Sequence, residues 1–197
     1  PQVAEYSIFK TYGALLSLIE RAFERSSPLF SLVVYNPLKY YLGDADEIDP
    51  FNRTRLRNVV TLIRTQFLKR FESSVYAFET SCDRLLRKLL AFLKVHCETD
   101  HEKQLLERWI AQNETILEYT TQKQNELWEE DEEDDPDLFP QELLERWDKL
   151  ERDKYDVAAI IDITLMDLNG LVEFLKETRK FKPERDDKLN KLKRMLN

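Results

Sequence analysis

The chain is 197 residues long and carries 30 Lys or Arg against 38 Asp or Glu, which gives a formal net charge of −8 at pH 7. Its 3 glycines, 7 prolines and 2 cysteines exclude a collagen-like protein and a small fold held together by disulfides, and they favour helices over sheets. No apolar run approaches the ~20 residues of a membrane-spanning helix and nothing resembles a signal peptide, so we expect a soluble, cytoplasmic protein that binds no membrane.

Charge is distributed unevenly along the chain. Residues 53–94 contain ten basic and three acidic side chains, whereas residues 98–151 contain nineteen acidic and five basic ones. A basic stripe on a helix is what contact with phosphate groups requires. The same pattern is also typical of helix faces that meet only solvent, and the charge alone does not choose between the two interpretations.

The N-terminal part, residues 1–50, predicts one helix followed by an aromatic-rich connection. Residues 3–25 repeat apolar side chains every three or four positions, which is the period of an amphipathic helix. Pro28 then disfavours helical geometry in the residue before it. The apolar and aromatic segment 29–43 predicts a short helix or a packed irregular connection whose aromatic rings lie in the core. The Asp-rich segment 43–50 predicts an exposed loop.

Residues 51–95 predict one long helix. The segment has no glycine or proline, and its apolar seam advances in steps of three and four through Leu56, Val60, Ile63, Phe67, Phe71, Val75, Phe78, Cys82, Leu85, Leu89 and Leu93. At ~1.5 Å per residue such a helix would be roughly 60 Å long, which exceeds the width of a compact domain of this size. The helix should therefore project from the domain or bend.

A second long helix is predicted from His101 to about Trp128. We expect it to pack against the helix predicted over residues 51–95, and the two would form an antiparallel coiled-coil hairpin. The acidic loop at 129–140 carries charges that repel one another, and it contains two prolines. We expect this loop to be mobile and to lie at the far end of the hairpin.

A third long helix is predicted from Pro140 to about Phe181, with Gly170 marking close packing or a kink. The predicted fold class is all-α, with long antiparallel helices that form a bundle and a protruding coiled-coil-like hairpin. We expect residues 51–182 to form this hairpin and bundle. Residues 183–197 predict a C-terminal helix that leads into a following domain.

The residue pattern indicates no catalytic constellation. The glycines stand at 13, 43 and 170, so the chain contains neither of the common phosphate-binding motifs, G-x-x-x-x-G-K-[ST] and G-x-G-x-x-G. A metal ion could be shared on one helical face by His96, Cys97, Glu98 and His101, but their spacing matches no closed zinc site. We therefore expect no catalytic residue, cofactor or metal in this chain.

Three stretches resemble a known protein family. Residues 53–57 (Arg-Thr-Arg-Leu-Arg) and 68–78 (Leu-Lys-Arg-Phe-Glu-Ser-Ser-Val-Tyr-Ala-Phe) resemble the helical region that joins the two RecA-like motor lobes in bacterial helicases of the Swi/Snf-like branch of superfamily two. Residues 185–196 (Arg-Asp-Asp-Lys-Leu-Asn-Lys-Leu-Lys-Arg-Met-Leu) are similar to the helix that precedes the first strand of the second lobe in that family. The region between matches only in being helical and acidic.

The resemblance implies that the chain is a non-catalytic helical insertion of a larger DNA-stimulated ATPase, which it braces. ATP and Mg²⁺ would bind the parent protein between its lobes, neither of which this sequence contains. The implied partners are the flanking RecA-like lobes of the same polypeptide, and DNA is a further candidate. The candidate contacts to nucleic acid or to a lobe are Arg53, Arg55, Arg57, Lys69 and Arg70, and the family-motif helix adds Glu72, Ser73 and Ser74.

Two other functions fit the residue pattern. The long heptad-like seams favour a stand-alone helical scaffold that binds a protein through an exposed coiled-coil face. The basic stripe favours direct binding to DNA, which would weaken steeply with added salt.

Overall fold

The computed structural model describes residues 8–24, 30–44, 48–127 and 149–181, and it describes all of their side chains except those of 8–12 and 123–127. These residues form six α-helices packed as a bundle, without a strand, which confirms the predicted all-α class. The helices are α1 (Ile8–Ala22), α2 (Pro50–Ser73), α3 (Val75–His96), α4 (Asp100–Gln112), α5 (Glu114–Leu127) and α6 (Val157–Thr178). Within the described ranges, no helix combines the length and the apolar character that crossing a membrane takes.

Helix α1 is kinked where glycine allows it. Gly13 has a φ of 33° and a ψ of −107°, a backbone conformation that a residue with a Cβ adopts only with strain. Beyond the kink, Leu15, Ile19 and Ala22 are buried, so this half of the predicted amphipathic helix packs its apolar stripe against the bundle.

The connection between α1 and α2 is a packed, irregular segment, as predicted. It contains two short 3₁₀ turns, Val33–Tyr35 and Pro37–Tyr40. The side chains of Phe30, Leu32 and Tyr35 are fully buried, so the aromatic residues of this segment belong to the core.

The single helix predicted over residues 51–95 is wrong, because the chain breaks at Ser74. Ser74 has an extended backbone (φ −161°, ψ 155°), and its Oγ accepts a hydrogen bond from the Ala77 amide at 3.0 Å. Serine is among the best residues at the N-terminus of a helix because its side chain satisfies an amide that has no partner within the helix. Helix α3 therefore starts anew at this point and packs back against α2.

The other two predicted long helices also differ from the structure. Asn113 separates α4 from α5, so the helix predicted from residue 101 to 128 is wrong in being continuous. In the third predicted helix, residues 149–156 are not helical, and α6 begins at Val157 with the Asp156 carboxylate accepting from the Ala159 amide at 3.0 Å. A side chain that caps a helix sets its start more strongly than apolar periodicity does.

The core lies where α3 meets α6 and α2. The rings of Phe67 and Phe78 are 4.9 Å apart, and Phe174 of α6 lies 5.4 Å from Phe78, so one aromatic cluster joins three helices. Helix α3 packs chiefly against α6 and α2, and not in a two-helix coiled coil with α4 and α5 as predicted. The acidic loop at 129–140 and the C-terminal helix at 183–197 lie outside the described residues.

Candidate functional site

The five basic residues that the sequence singled out all lie on α2, but they point in different directions. Successive residues of an α-helix are turned by about 100°. Arg53 and Arg57 therefore lie on one side of α2, Arg55 and Lys69 lie on the opposite side, and Arg70 lies on a third side and is half-buried. The structure thus replaces the single predicted basic stripe with two separate surfaces.

The first surface faces solvent and mixes basic with apolar side chains. Phe51 and Leu62 are 73% and 58% exposed, and Arg55 and Lys69 are exposed beside them on the same side of α2. We call these four residues the outer stripe. Their spacing of four, seven and seven residues keeps them in one line along the helix. The outer stripe therefore offers another macromolecule two apolar side chains and two cations on one side of the helix.

The family-motif residues lie at the joint between α2 and α3. Ser74 caps α3, Phe71 is buried, and Glu72 and Ser73 are exposed at the corner. The apolar motif positions therefore serve the fold, whereas the polar positions near the end of the outer stripe are accessible.

Replacing Ser74 by alanine should lower the free energy of unfolding by about 1 kcal/mol, because the first turn of α3 loses its cap. Urea unfolding followed by circular dichroism measures this change. Ser73→Ala is the matched control, since Ser73 is the exposed neighbour within the same motif, and its effect should stay within about 0.5 kcal/mol. Equal effects of the two substitutions would contradict the role of Ser74 as a cap.

The second surface is a basic cavity on the inner side of α2. Its volume is about 180 Å³, and the 3₁₀ turns form the wall opposite the helix. We call it the basic cavity, and its polar lining consists of Ser31, Asn36, Lys39, Arg57, Thr61 and Arg64. None of the described residues that line it is acidic. The cavity therefore concentrates positive charge in a partly enclosed space.

Arg64 is the innermost cation of the basic cavity, and the sequence analysis did not single it out. Its guanidinium group lies 5.2 Å from the centre of the Phe23 ring. Burial lowers the pKa of Arg64, and the negative charge of Asp167 opposes this effect. Arg64 makes no ion pair or hydrogen bond with any residue that the structure describes.

Asp167 of α6 holds the inner wall of the basic cavity in place. Its two carboxylate oxygens accept hydrogen bonds from the amides of Ser31 and Leu32, each at 2.7 Å. Leu32 has a φ of 54°, a left-handed conformation that is strained for a leucine. Burial raises the pKa of Asp167 to about 7, although these hydrogen bonds and Arg64 act in the opposite direction. The wall thus depends on one buried carboxyl group.

A charged clamp attaches the segment before α6 to the start of α4. Arg152 donates to a Glu102 carboxylate oxygen at 2.7 Å and to the His96 carbonyl at 2.9 Å. Burial acts to raise the pKa of Glu102, but the hydrogen bonds from Arg152 and from the Thr99 and Glu98 amides lower it to about 2. The clamp is therefore ionised over the physiological range, and it joins the segment before α6 to the start of α4.

His96, which stands in the candidate metal cluster with Cys97 and His101, makes two contacts within the fold. The His96 ring is buried, its Nδ1 lies 2.8 Å from the Phe92 carbonyl, and its Nε2 accepts from the Leu150 amide at 3.1 Å. These two contacts use both ring nitrogens. Across the described ranges, no three side chains of His, Cys, Asp or Glu are grouped so as to hold a metal ion.

No family model matches the chain, and neither does any curated protein or solved structure. A function must therefore be inferred from the residues themselves and from the two surfaces that α2 presents.

Proposed function

We propose that this chain is a non-catalytic helical module of an ATP-dependent DNA helicase or translocase, in which it braces two RecA-like motor lobes. The outer stripe of α2 is the observation that carries the proposal. It brings two of the predicted cations, Arg55 and Lys69, into line with two exposed apolar side chains, Phe51 and Leu62. A lobe of the same polypeptide would bury the apolar side chains and pair with the cations.

The position of the motif supports the same role. Residues 68–78 form the joint between α2 and α3, so the outer stripe and Phe67 of the aromatic cluster lie on the same helix, next to this joint. Closely packed interiors deform little and transmit strain. A rigid joint of this kind suits a part that keeps two moving lobes in register.

The remaining parts of the proposal concern the parent protein. ATP and Mg²⁺ would bind between the lobes, and the Walker lysine, the acidic Mg²⁺-binding box and the arginine finger would come from them. DNA is a further partner for the cations of α2. We further propose a cytoplasmic location.

The outer stripe can be tested in the full polypeptide that carries this chain. Leu62→Ser should lower DNA-stimulated ATP hydrolysis by about tenfold, which corresponds to about 1.4 kcal/mol of lost coupling between the module and a lobe. Met166→Ser is the matched control, because Met166 on α6 is 55% exposed against 58% for Leu62, and it should leave the rate within about twofold.

A second pair of variants tests the charges. Lys69→Glu should lower the stimulated rate, whereas Lys103→Glu, at an exposed position of α4, should not. Unfolding of the isolated chain should be unchanged within about 0.5 kcal/mol in all four variants. Equal effects of the stripe and control variants on ATP hydrolysis, or no effect of either stripe variant, would refute the bracing role.

The outer stripe also favours one other function, a stand-alone scaffold that binds a separate protein through this face of α2. In that case the coding sequence would carry no motor lobe. An open reading frame that starts near Pro1 and stops after Asn197 would select the scaffold.

A further inference from the structure

The basic cavity is built from groups that leave hydrogen-bonding capacity for a ligand. Lys39 and Arg57 lie at its exposed rim, and the half-buried Arg64 lies further in. Asn36 is only 7% exposed, and its Oδ1 accepts no hydrogen bond from any described residue. A buried polar atom without a partner is costly, so a group that donates a hydrogen bond to Asn36 would stabilise the site.

The size of the cavity bounds the ligand. At about 180 Å³ it exceeds by roughly tenfold the ~10–15 Å³ that a single water molecule needs. It is nevertheless smaller than the ~300–1,000 Å³ that is usual for drug-sized ligands. The space suits a phosphate group joined to a short hydroxylated carbon chain.

The charge of the cavity selects the chemistry of the ligand. Three cations without an acid among the described lining residues favour a doubly charged group over a single carboxylate. One guanidinium group can donate hydrogen bonds to two phosphate oxygens at once, and two of the three cations are arginines. A second cavity of about 590 Å³ near the end of α6 is different, because Glu173 and Glu177 line it together with its bases.

We propose that the basic cavity binds a small phosphate monoester of the sugar-phosphate class. The phosphate group lies between Arg57, Arg64 and Lys39, and a ligand hydroxyl donates to Asn36. The hydroxyl of Thr61 and that of Ser31 line the path between these two ends. This site does not depend on the motor lobes, so it can be tested whether or not the bracing role holds.

The experiment is isothermal titration calorimetry of the chain at constant ionic strength, with ribose 5-phosphate, inorganic phosphate and ribose as the three probes. We expect ribose 5-phosphate to bind with a Kd of about 1 mM or tighter, inorganic phosphate to bind more weakly, and ribose not to bind. This order follows because the phosphate supplies the charge contacts and the sugar hydroxyl supplies the contact to Asn36.

Variants locate the binding site. Arg57→Gln should weaken binding of ribose 5-phosphate by about tenfold, while Arg108→Gln, at an exposed position of α4, should leave it unchanged. Asn36→Ala should remove the preference for ribose 5-phosphate over inorganic phosphate. Circular dichroism of each variant shows whether the fold is intact. The affinity of Arg57→Gln then tests the site, because this comparison uses a folded chain.

Three results would overturn the proposal. The first is an absence of binding for all three probes, and the second is an equal loss of affinity in Arg57→Gln and Arg108→Gln. The third is binding of duplex DNA that ribose 5-phosphate does not displace and that Arg57→Gln still weakens, which would identify this side of α2 as a nucleic-acid surface.

Discussion

Replacing Asp167 by alanine should lower the free energy of unfolding by about 3–5 kcal/mol at pH 5. The substitution leaves the amides of Ser31 and Leu32 buried without an acceptor, and it removes the group that holds Leu32 in its strained left-handed conformation. Urea unfolding followed by circular dichroism measures the loss. The same variant should bind ribose 5-phosphate more weakly, because the wall that contains Ser31 and Asn36 is no longer held in place.

The loss in free energy of unfolding caused by Asp167→Ala should decrease as the pH rises. Burial raises the pKa of Asp167 from 3.8 to about 7, so between these values the folded state keeps a proton that the unfolded state has lost. The contribution of Asp167 is therefore complete below about pH 4 and declines as the pH rises through 7. The loss caused by Asp167→Ala should accordingly be smaller at pH 8 than at pH 5.

Asp162→Ala is the control for Asp167, because Asp162 is an exposed aspartate on the same helix. Its effect should stay within about 0.5 kcal/mol at both pH values. A loss for Asp167→Ala no larger than that of the control, or a loss that grows from pH 5 to pH 8, would contradict the assigned role.

Phe78→Ala should lower the free energy of unfolding by about 3–5 kcal/mol. The Phe78 ring is completely buried, and its centre lies 4.9 Å from that of Phe67 and 5.4 Å from that of Phe174, so its removal opens a void where α2, α3 and α6 meet. The result tests whether the apolar positions of the motif hold the joint between α2 and α3 together. Thermal and urea unfolding provide the measurement.

Tyr76→Ala is the matched control, since Tyr76 is an aromatic residue of the same motif that is 52% exposed. Its loss should be below about 1 kcal/mol. Comparable losses for Tyr76→Ala and Phe78→Ala would show that the aromatic cluster does not dominate the stability of the joint.

The fold class could be predicted from the sequence, but the helix ends could not. The apolar seam continues in step through Phe71, Val75 and Phe78, so periodicity gives no sign of the break at Ser74. Serine occurs both inside helices and at their caps, and Ser74 has no Glu or Gln three residues later to mark a helix start, so packing decides between the two. The prediction of one continuous helix over residues 51–95 failed for this reason, whereas the buried connection around Tyr35 was predicted correctly from its apolar composition.

The two surfaces of α2 could be predicted only in part from the sequence. Arg53 and Arg55 are two positions apart, so a helix must direct them to nearly opposite sides, and this could have been inferred from helix geometry. The basic cavity could not be found in this way. Its wall depends on Asp167, which contacts Ser31 across 136 positions of the chain. A contact of that separation leaves no local pattern in a single sequence.

The sequence of the gene on both sides of this chain tests the proposed function most directly. If the chain braces two motor lobes, the coding sequence before Pro1 encodes a RecA-like lobe with a Walker lysine, and the coding sequence after Asn197 encodes a second lobe with an arginine finger. A start codon immediately before Pro1 together with a stop codon after Asn197 would contradict the account.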